Sequence, residues 1–376
     1  MTSDATLHHD DDGTARSPWS TAAARACPPL LAAMTCLLIG LGLLTVLGYP
    51  AGAVLRTAWE KVLWPGAFER RLLSWSYMLQ YATPILLTGL AIAVAFRAAV
   101  WNIGAQGQYL LGAIAATAVG VHLAAPSPIV IPALLIAAML GGALLAALAA
   151  VLNVRRRVPI VLSTLLLNFI VLELLRFLLE GPMRDPAGQV KSAPLLDPAL
   201  LPLLPGTRLH AGFLIALASA PVVAFVIRNT TFGFRLRAVG ENPVAARFAG
   251  INVSRVGLAT MSLSGALAGL AGGIEVAGVT HELHQSANDT AFGFTGIAVA
   301  LLGRLTASGV VAAAIFFGVL NGAFRALQAE MGVPFVTAQA LQGLIVILML
   351  VLTHPRLVSR FTRNVRKLGG AEAGAA

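Results

Sequence analysis

The sequence predicts an all-α fold, a polytopic transmembrane helical bundle of about ten spans. Three observations predict it. Only 11% of the 376 residues are charged and 57% are hydrophobic, whereas a soluble domain carries about a quarter charged residues. The mean hydropathy is +0.82. The apolar residues also come in runs of roughly 20, the length that crosses a ~30 Å hydrocarbon core.

In order, the runs place spans at about 30–50, 78–96, 107–124, 128–152, 160–179, 209–227, 256–279, 292–303, 308–328 and 335–353, with ends uncertain by a few residues. The eighth run is short for a span and reads as a buried short helix or part of a re-entrant element, which Gly293 and Gly296 suit equally. Residues 1–27 read as a disordered polar tail, 28–355 as the membrane domain and 356–376 as a second tail. The start lacks the basic residues and cleavage site of a signal peptide.

The net charge of +10 reads as basic inner loops rather than nucleic-acid binding, because the basic residues sit between spans without interleaved aromatics. With both termini inside, the larger share of the 26 Lys and Arg falls on inner segments, including Arg97, Arg155, Arg156, Arg157, Arg228, Arg235, Arg237, Arg247, Arg255 and Arg304. The stretch 56–71 opposes the trend, with four basic residues outside, and amphipathic packing on the outer surface accounts for them. The outer segment 181–207 is rich in proline and reads as a loop. Cys27 and Cys36 form no CxxC or Cys/His cluster, so neither a disulfide framework nor a zinc site is indicated.

The inner connection 228–255 contains a short helix with signals at both ends. Asn242 suits the N-cap, Pro243 the first helical position and Gly250 the left-handed residue past the end. The helix spans roughly 10 Å and carries the small residues Val244, Ala245, Ala246 and Ala249. Such a helix fits a cleft in another protein; the alternative is an amphipathic helix lying on the membrane surface.

The stretch GFRLRAVGENPVAARFAGI around that helix resembles the coupling loop of ABC-importer permeases, more narrowly the simple-sugar and nucleoside permeases of the branched-chain-amino-acid-like family. Asn102-IGAQGQYLLGA, Ser163-Thr164-LLLNFI and Gly293-FTGIAVALLGR resemble three further motifs of that family, and the likeness runs over about residues 78–353. The resemblance implies a type II importer-like permease in the plasma membrane of a bacterium, without a cofactor. It also implies three partners: a cytoplasmic ABC ATPase subunit, a second permease chain (identical or homologous) and an extracytoplasmic solute-binding protein. Gly240, Glu241, Asn242, Ala245, Ala246, Gly250 and Ile251 are the positions that carry over for ATPase coupling. Gln106 stands where the family often has glutamate, and Trp101 where it often has phenylalanine, so no proton-coupling role is carried to Gln106. The motifs most resemble the nucleoside branch, with a pentose or similar sugar next.

Polar side chains inside a bilayer are costly and face a pathway or one another. Asn102, Gln106, Gln108, Thr164, Asn168, Asn321, Gln339 and Gln342 are the candidates for a translocation pathway. The competing role for each is a structural turn or an interhelical hydrogen bond. Glu173 and Arg176 read as a structural pair. Gly265, Gly269 and Gly273 read as a close-packing stripe. His281, Glu282 and His284 read as solvated polar residues rather than metal ligands. No GxxxxGK[ST] phosphate loop occurs, so the chain is expected to borrow its energy. An ion-coupled secondary transporter is the alternative class and would rest on Glu173 or Glu275; a third is an intramembrane enzyme or scaffold.

Overall fold

The computed structural model describes residues 38–334 together with positions 337, 340, 343, 344 and 347. Both tails, Gln339, Gln342, residues 30–37 of the first expected span and most of the tenth lie outside these residues. The helices below belong to the unit Leu44–Gly343.

Helix α1 (Ala51–Thr57) runs into a π-helical turn at Ala58–Leu63. Then follow α2 (Phe68–Arg97), α3 (Ala105–His122), α4 (Ser127–Arg156), α5 (Ile160–Glu180) and α6 (Gly212–Asn229). Two short helices, α7 (Thr231–Glu241) and α8 (Pro243–Phe248), lead into α9 (Val253–Glu275), which continues as a π-helical turn to Thr280. α10 (Phe292–Leu302) and α11 (Ala307–Met331) complete the order.

Among the described residues six helices are long and apolar enough to cross a membrane: α2, α4, α5, α6, α9 with its extension, and α11. The expected count of about ten is therefore not reached there. α3 has 18 residues, but Gln106 and Gln108 lie in its first turn and most of its length is buried in protein. α10 has 11 residues, about 16 Å at ~1.5 Å per residue, and cannot span a ~30 Å core.

The stretch 56–71, expected as an outer loop, is helical over most of its length, and α2 begins at Phe68 rather than near 78. The chain itself uses the basic side chains here. Arg56 pairs with Glu60 one turn on (3.4 Å), Lys61 pairs with Glu330 (2.8 Å), and the Arg71 guanidinium stacks over Trp64 (4.4 Å).

The centre of the bundle consists of α2 and α9, whose spanning windows are 78% and 67% buried, against 33–44% for the other four. Glycine makes this possible for α9, which packs chiefly on α4, α3 and α2. A β-carbon at Gly265 would strike the Gly142 carbonyl, one at Gly269 the Ala138 carbonyl, and one at Gly273 the Ala138 methyl. Gly272 meets the Tyr109 carbonyl of α3 in the same way. The stripe expected at every fourth residue is thus the face on which α4 lies backbone to backbone. In lipid such close packing, rather than expulsion of water, holds helices together.

The proline-rich segment 181–207 is folded over the C-terminal ends of α3 and α9. Ser192 N–H donates to Leu283 O (2.9 Å), Leu195 N–H to His281 O (2.9 Å), Leu196 N–H to Gly120 O (3.0 Å) and Leu201 N–H to Ala277 O (2.9 Å). Glu282 accepts from Lys191 (2.8 Å) and pairs with His284 (2.9 Å). The bond to Glu282 raises the Lys191 ammonium above its ordinary value. His210, just before α6, is wholly buried, with Gly212 and Gly278 lying where any side chain would meet its ring. Burial, with a smaller contribution from His281, pushes its imidazole down to about 4, so it is uncharged at neutral pH.

Candidate functional site

Two constructions stand out: a polar network around the non-helical turn between α2 and α3, and a capped helix pair projecting from one end.

Between α2 and α3 the chain leaves helical geometry over Val100–Gly104. Backbone groups freed in a membrane must find partners, because no water replaces them. The side chains named as pathway candidates provide those partners. Asn102 Oδ1 accepts from Gly104 N–H (2.9 Å) and from Gln108 Nε2 (3.0 Å). Asn102 Nδ2 donates to Gln108 Oε1 (2.9 Å) and to Ser264 Oγ of α9 (2.9 Å), and Ser264 in turn donates to Ala91 O (2.7 Å). From α5, Asn168 Oδ1 accepts from Gly107 N–H (2.8 Å) while its Nδ2 donates to Ile103 O (3.0 Å). Thr164 Oγ1 accepts from Ile103 N–H at 3.4 Å and donates to Val161 O at 3.1 Å.

Gln106 performs the same service toward α10. Its Oε1 accepts from Gly293 N–H (2.8 Å) and its Nε2 donates to Asn288 O (3.3 Å), a bond that a carboxylate could not make. All five side chains are buried. The NIGAQGQ and STLLLN stretches are therefore halves of one unit, in which Gly104 and Gly107 give the close approach: a β-carbon at Gly107 would lie 2.7 Å from Asn168 Oδ1. Each of these side chains hydrogen-bonds within the bundle. Asn321, half-buried on α11, makes no side-chain hydrogen bond among the described residues. Glu173 and Arg176 pair at 2.7 Å on an exposed face of α5.

The projecting helices are built by three N-caps in series. Thr230 Oγ1 accepts from Gly233 N–H (3.0 Å) to start α7. Asn242 ends α7 and starts α8, its Oδ1 accepting from Val244 and Ala245 N–H (3.0 Å each). At the far end Gly250 takes φ +77°, Ile251 N–H donates to Ala246 O and Gly250 N–H to Arg247 O, both at 3.0 Å. This 6→1 and 5→2 pair is the Schellman closure. Asn252 Oδ1 then accepts from Arg255 N–H (2.9 Å) and begins α9. The caps expected at Asn242, Pro243 and Gly250 stand where the sequence places them. Each good cap contributes about 1 kcal/mol. Asn242→Ala is expected to fray α8 and cost about 1 kcal/mol locally, read as faster amide exchange at Val244 and Ala245 with the spans unchanged.

Burial divides the coupling positions. Ala246 is only 3% exposed and points inward. Gly240 is backed against the Arg97 carbonyl, which leaves no room for a β-carbon. Glu241, Asn242, Ala245 and Gly250 are exposed, and Ile251 half-exposed. The largest exposed apolar side chains are ones that the motif match did not single out: Phe248 at 89%, Phe234 at 61% and Val244 at 59%. Val244 and Phe248 stand one turn apart on the outward face of α8, a spacing visible in the sequence. Between α7 and α8 lies a hollow of about 600 Å³, lined by Phe234, Ala238, Glu241, Ala245, Ala249 and Ile251 among others. An apolar knob beside an apolar hollow, on a short rigid helix, is suited to seating in another protein's groove. Among the described residues no group of His, Cys, Asp and Glu is arranged to hold a metal ion.

Comparison with known proteins places both constructions in one family. The family model for the permease component of branched-chain amino acid transport systems matches residues 74–353. The guanosine ABC transporter permease protein NupP of Bacillus subtilis is 36% identical over 310 residues, covering 81% of this chain and 87% of that protein. The glucose ABC transporter permease protein TsgB13 of Haloferax volcanii is 36% identical over 285 residues, covering 73% and 75%. The nucleoside ABC transporter permease protein NupB of Lactococcus lactis subsp. cremoris is 32% identical over 254 residues, covering 65% and 70%. No solved structure matches the chain. With the polar network and the projecting helix pair both inside the matched region, the chain belongs to the branched-chain-amino-acid-type family of ABC transporter permeases, in its simple-sugar and nucleoside branch.

Proposed function

We propose that the chain is the multi-pass membrane subunit of an ATP-driven importer that carries nucleosides, with a simple sugar as the second candidate. The observation that supports the energy source is the projecting pair α7–α8, whose exposed Val244 and Phe248 flank an apolar hollow. A cytoplasmic ABC ATPase seats there, and its closure on ATP moves α7, with α8 joined to it, against the inner end of α2 through the Gly240–Arg97 contact. Both termini lie on that same cytoplasmic side. A second permease chain completes the pathway, and an extracytoplasmic solute-binding protein delivers the solute over the 181–207 segment.

In that cycle Asn102, Gln106, Gln108, Thr164 and Asn168 keep the turn before α3 intact while neighbouring helices separate, and Asn321, whose amide has no partner among the described residues, meets solute hydroxyls. Support for the solute comes from relatives named for guanosine, nucleosides and glucose. The test is uptake into proteoliposomes containing the assembled importer and its binding protein. Labelled guanosine is expected to accumulate only with ATP inside the compartment that holds the ATPase, and unlabelled nucleosides to compete better than ribose or glucose. Uptake driven by an ion gradient without ATP would overturn the proposal. ATP-dependent uptake of sugar alone would move the solute to the second candidate.

A further inference from the structure

At the end of the bundle that carries α7 and α8, a cavity of about 530 Å³ opens between α2, α6 and α11. Its walls are apolar, from Leu217, Pro221 and Ala224 of α6 and Val311 of α11, and its polar rim holds Arg97 and Arg228. Arg237 stands near enough for the three guanidinium charges to repel one another. Among the described residues no carboxylate lies within ion-pair distance of any of the three. Arg97 spends its Nε–H on the Leu305 carbonyl (2.6 Å), which holds the guanidinium at the rim, its two terminal nitrogens having no partner among the described residues.

The N-terminus of the 25-residue helix α11 lines the same cavity at Ala307 and Ser308. The Thr306 cap satisfies Gly309 N–H (3.2 Å), leaving the N–H groups of Ala307 and Ser308 without a partner among the described residues. Clustered cations, free helix-terminal donors and an apolar wall on the membrane side form one arrangement. Arginine binds phosphate oxygens in pairs, a helix N-terminus favours an anion, and basic pockets between spans on the cytoplasmic side hold anionic head groups.

We propose that this cavity binds an anionic phospholipid of the inner leaflet, with the phosphate at Arg97, Arg228 and the α11 N-terminus and an acyl chain along α6 and α11. The inference rests on the reading that the α7–α8 end faces the cytoplasm. The lipid neutralises the repelling arginines beside the Gly240 contact through which α7 meets α2, so its occupancy bears on how firmly the docking helices are held.

The test titrates the whole detergent-solubilised chain with phosphatidylglycerol, phosphatidylcholine or inorganic phosphate, following bound lipid by native mass spectrometry and the unfolding midpoint. Phosphatidylglycerol is expected to bind and stabilise, and the other two to do neither. Arg228→Gln is expected to weaken phosphatidylglycerol binding about fivefold, one basic group's worth at a membrane surface. Ser308→Glu, which suits a helix N-terminus and so preserves folding, is expected to weaken it as much by repelling the phosphate. Arg156→Gln, at the exposed inner end of α4, serves as control and leaves binding unchanged.

Equal binding of the two lipids, or unchanged binding in both Arg228→Gln and Ser308→Glu, overturns the proposal. An equal response to inorganic phosphate does so too, since it makes the cavity a free-anion site. ATPase association is scored on the same samples. If the ATPase is retained and lipid selectivity is absent, only this inference falls; if lipid selectivity is present and the ATPase is absent, the docking reading falls.

Discussion

Gly269→Leu is expected to remove the folded protein from the membrane, the largest effect of any single substitution considered. Any β-carbon at Gly269 runs into the Ala138 carbonyl, and the Gly142 backbone N lies 3.0 Å away. Neither can move like a side chain, because both belong to the hydrogen-bonded backbone of α4. From the other side Gly112 of α3 presses on the Gly269 backbone itself, so three helices meet at one residue. Separating them forfeits dispersion contacts along the whole α4–α9 seam, with an expected cost above about 4 kcal/mol. Gly257 on the same helix is the internal control, since a β-carbon there meets nothing within 4 Å. Gly257→Ala is expected to be neutral or stabilising by up to about 1 kcal/mol, as alanine is the better helix former. Membrane-fraction yield and the detergent unfolding midpoint report both.

Asn168→Leu is expected to be next in size. The substitution is close in volume but leaves Gly107 N–H and Ile103 C=O buried without their partners. At about 1–3 kcal/mol for each unsatisfied group, the loss is about 2–6 kcal/mol, and the turn before α3 is the part released. Thr164→Val removes the longer 3.4 Å contact to Ile103 N–H and the local bond back to the Val161 carbonyl of its own helix, and is expected to cost about 1 kcal/mol. Thermal unfolding of the two variants in one detergent gives the ratio. Equal losses would mean that Asn168 does not hold the segment.

Local chemistry was readable wherever its partners lie close along the chain. The caps at Asn242 and Gly250 bond to groups two to five residues away, so residue types alone reveal them. The stripe Gly265, Gly269, Gly273 was readable because helical period puts the three on one face, though the period does not say that α4 lies on it. The network was not readable in the same way. Asn168 meets Gly107 across 61 residues and Gln106 meets Gly293 across 187. Composition shows costly amides in the membrane but not which backbone they satisfy. The span boundary at Phe68 was hidden because the first turns of α2 carry Glu69, Arg70 and Arg71, charges that a hydropathy run stops at and a partly packed helix tolerates. The inward face of Ala246 was hidden for a related reason. Val244, Ala245, Ala246 and Phe248 are all apolar and Arg247 is the one charged residue of α8, too little polar pattern in six residues to show which way the helix lies.

The central claim is that a separate ATPase seats on α7–α8. Its most direct test is co-purification of that subunit in mild detergent with the wild-type chain and with a Val244→Glu, Phe248→Glu variant. Those two positions are exposed at 59% and 89%, so charges there leave the interior untouched, unlike a change at buried Ala246. The account predicts an ATPase that accompanies the wild type and is lost from the variant, while both chains reach the membrane and run as single species. An ATPase that still accompanies the variant, or none with the intact wild type, would contradict it.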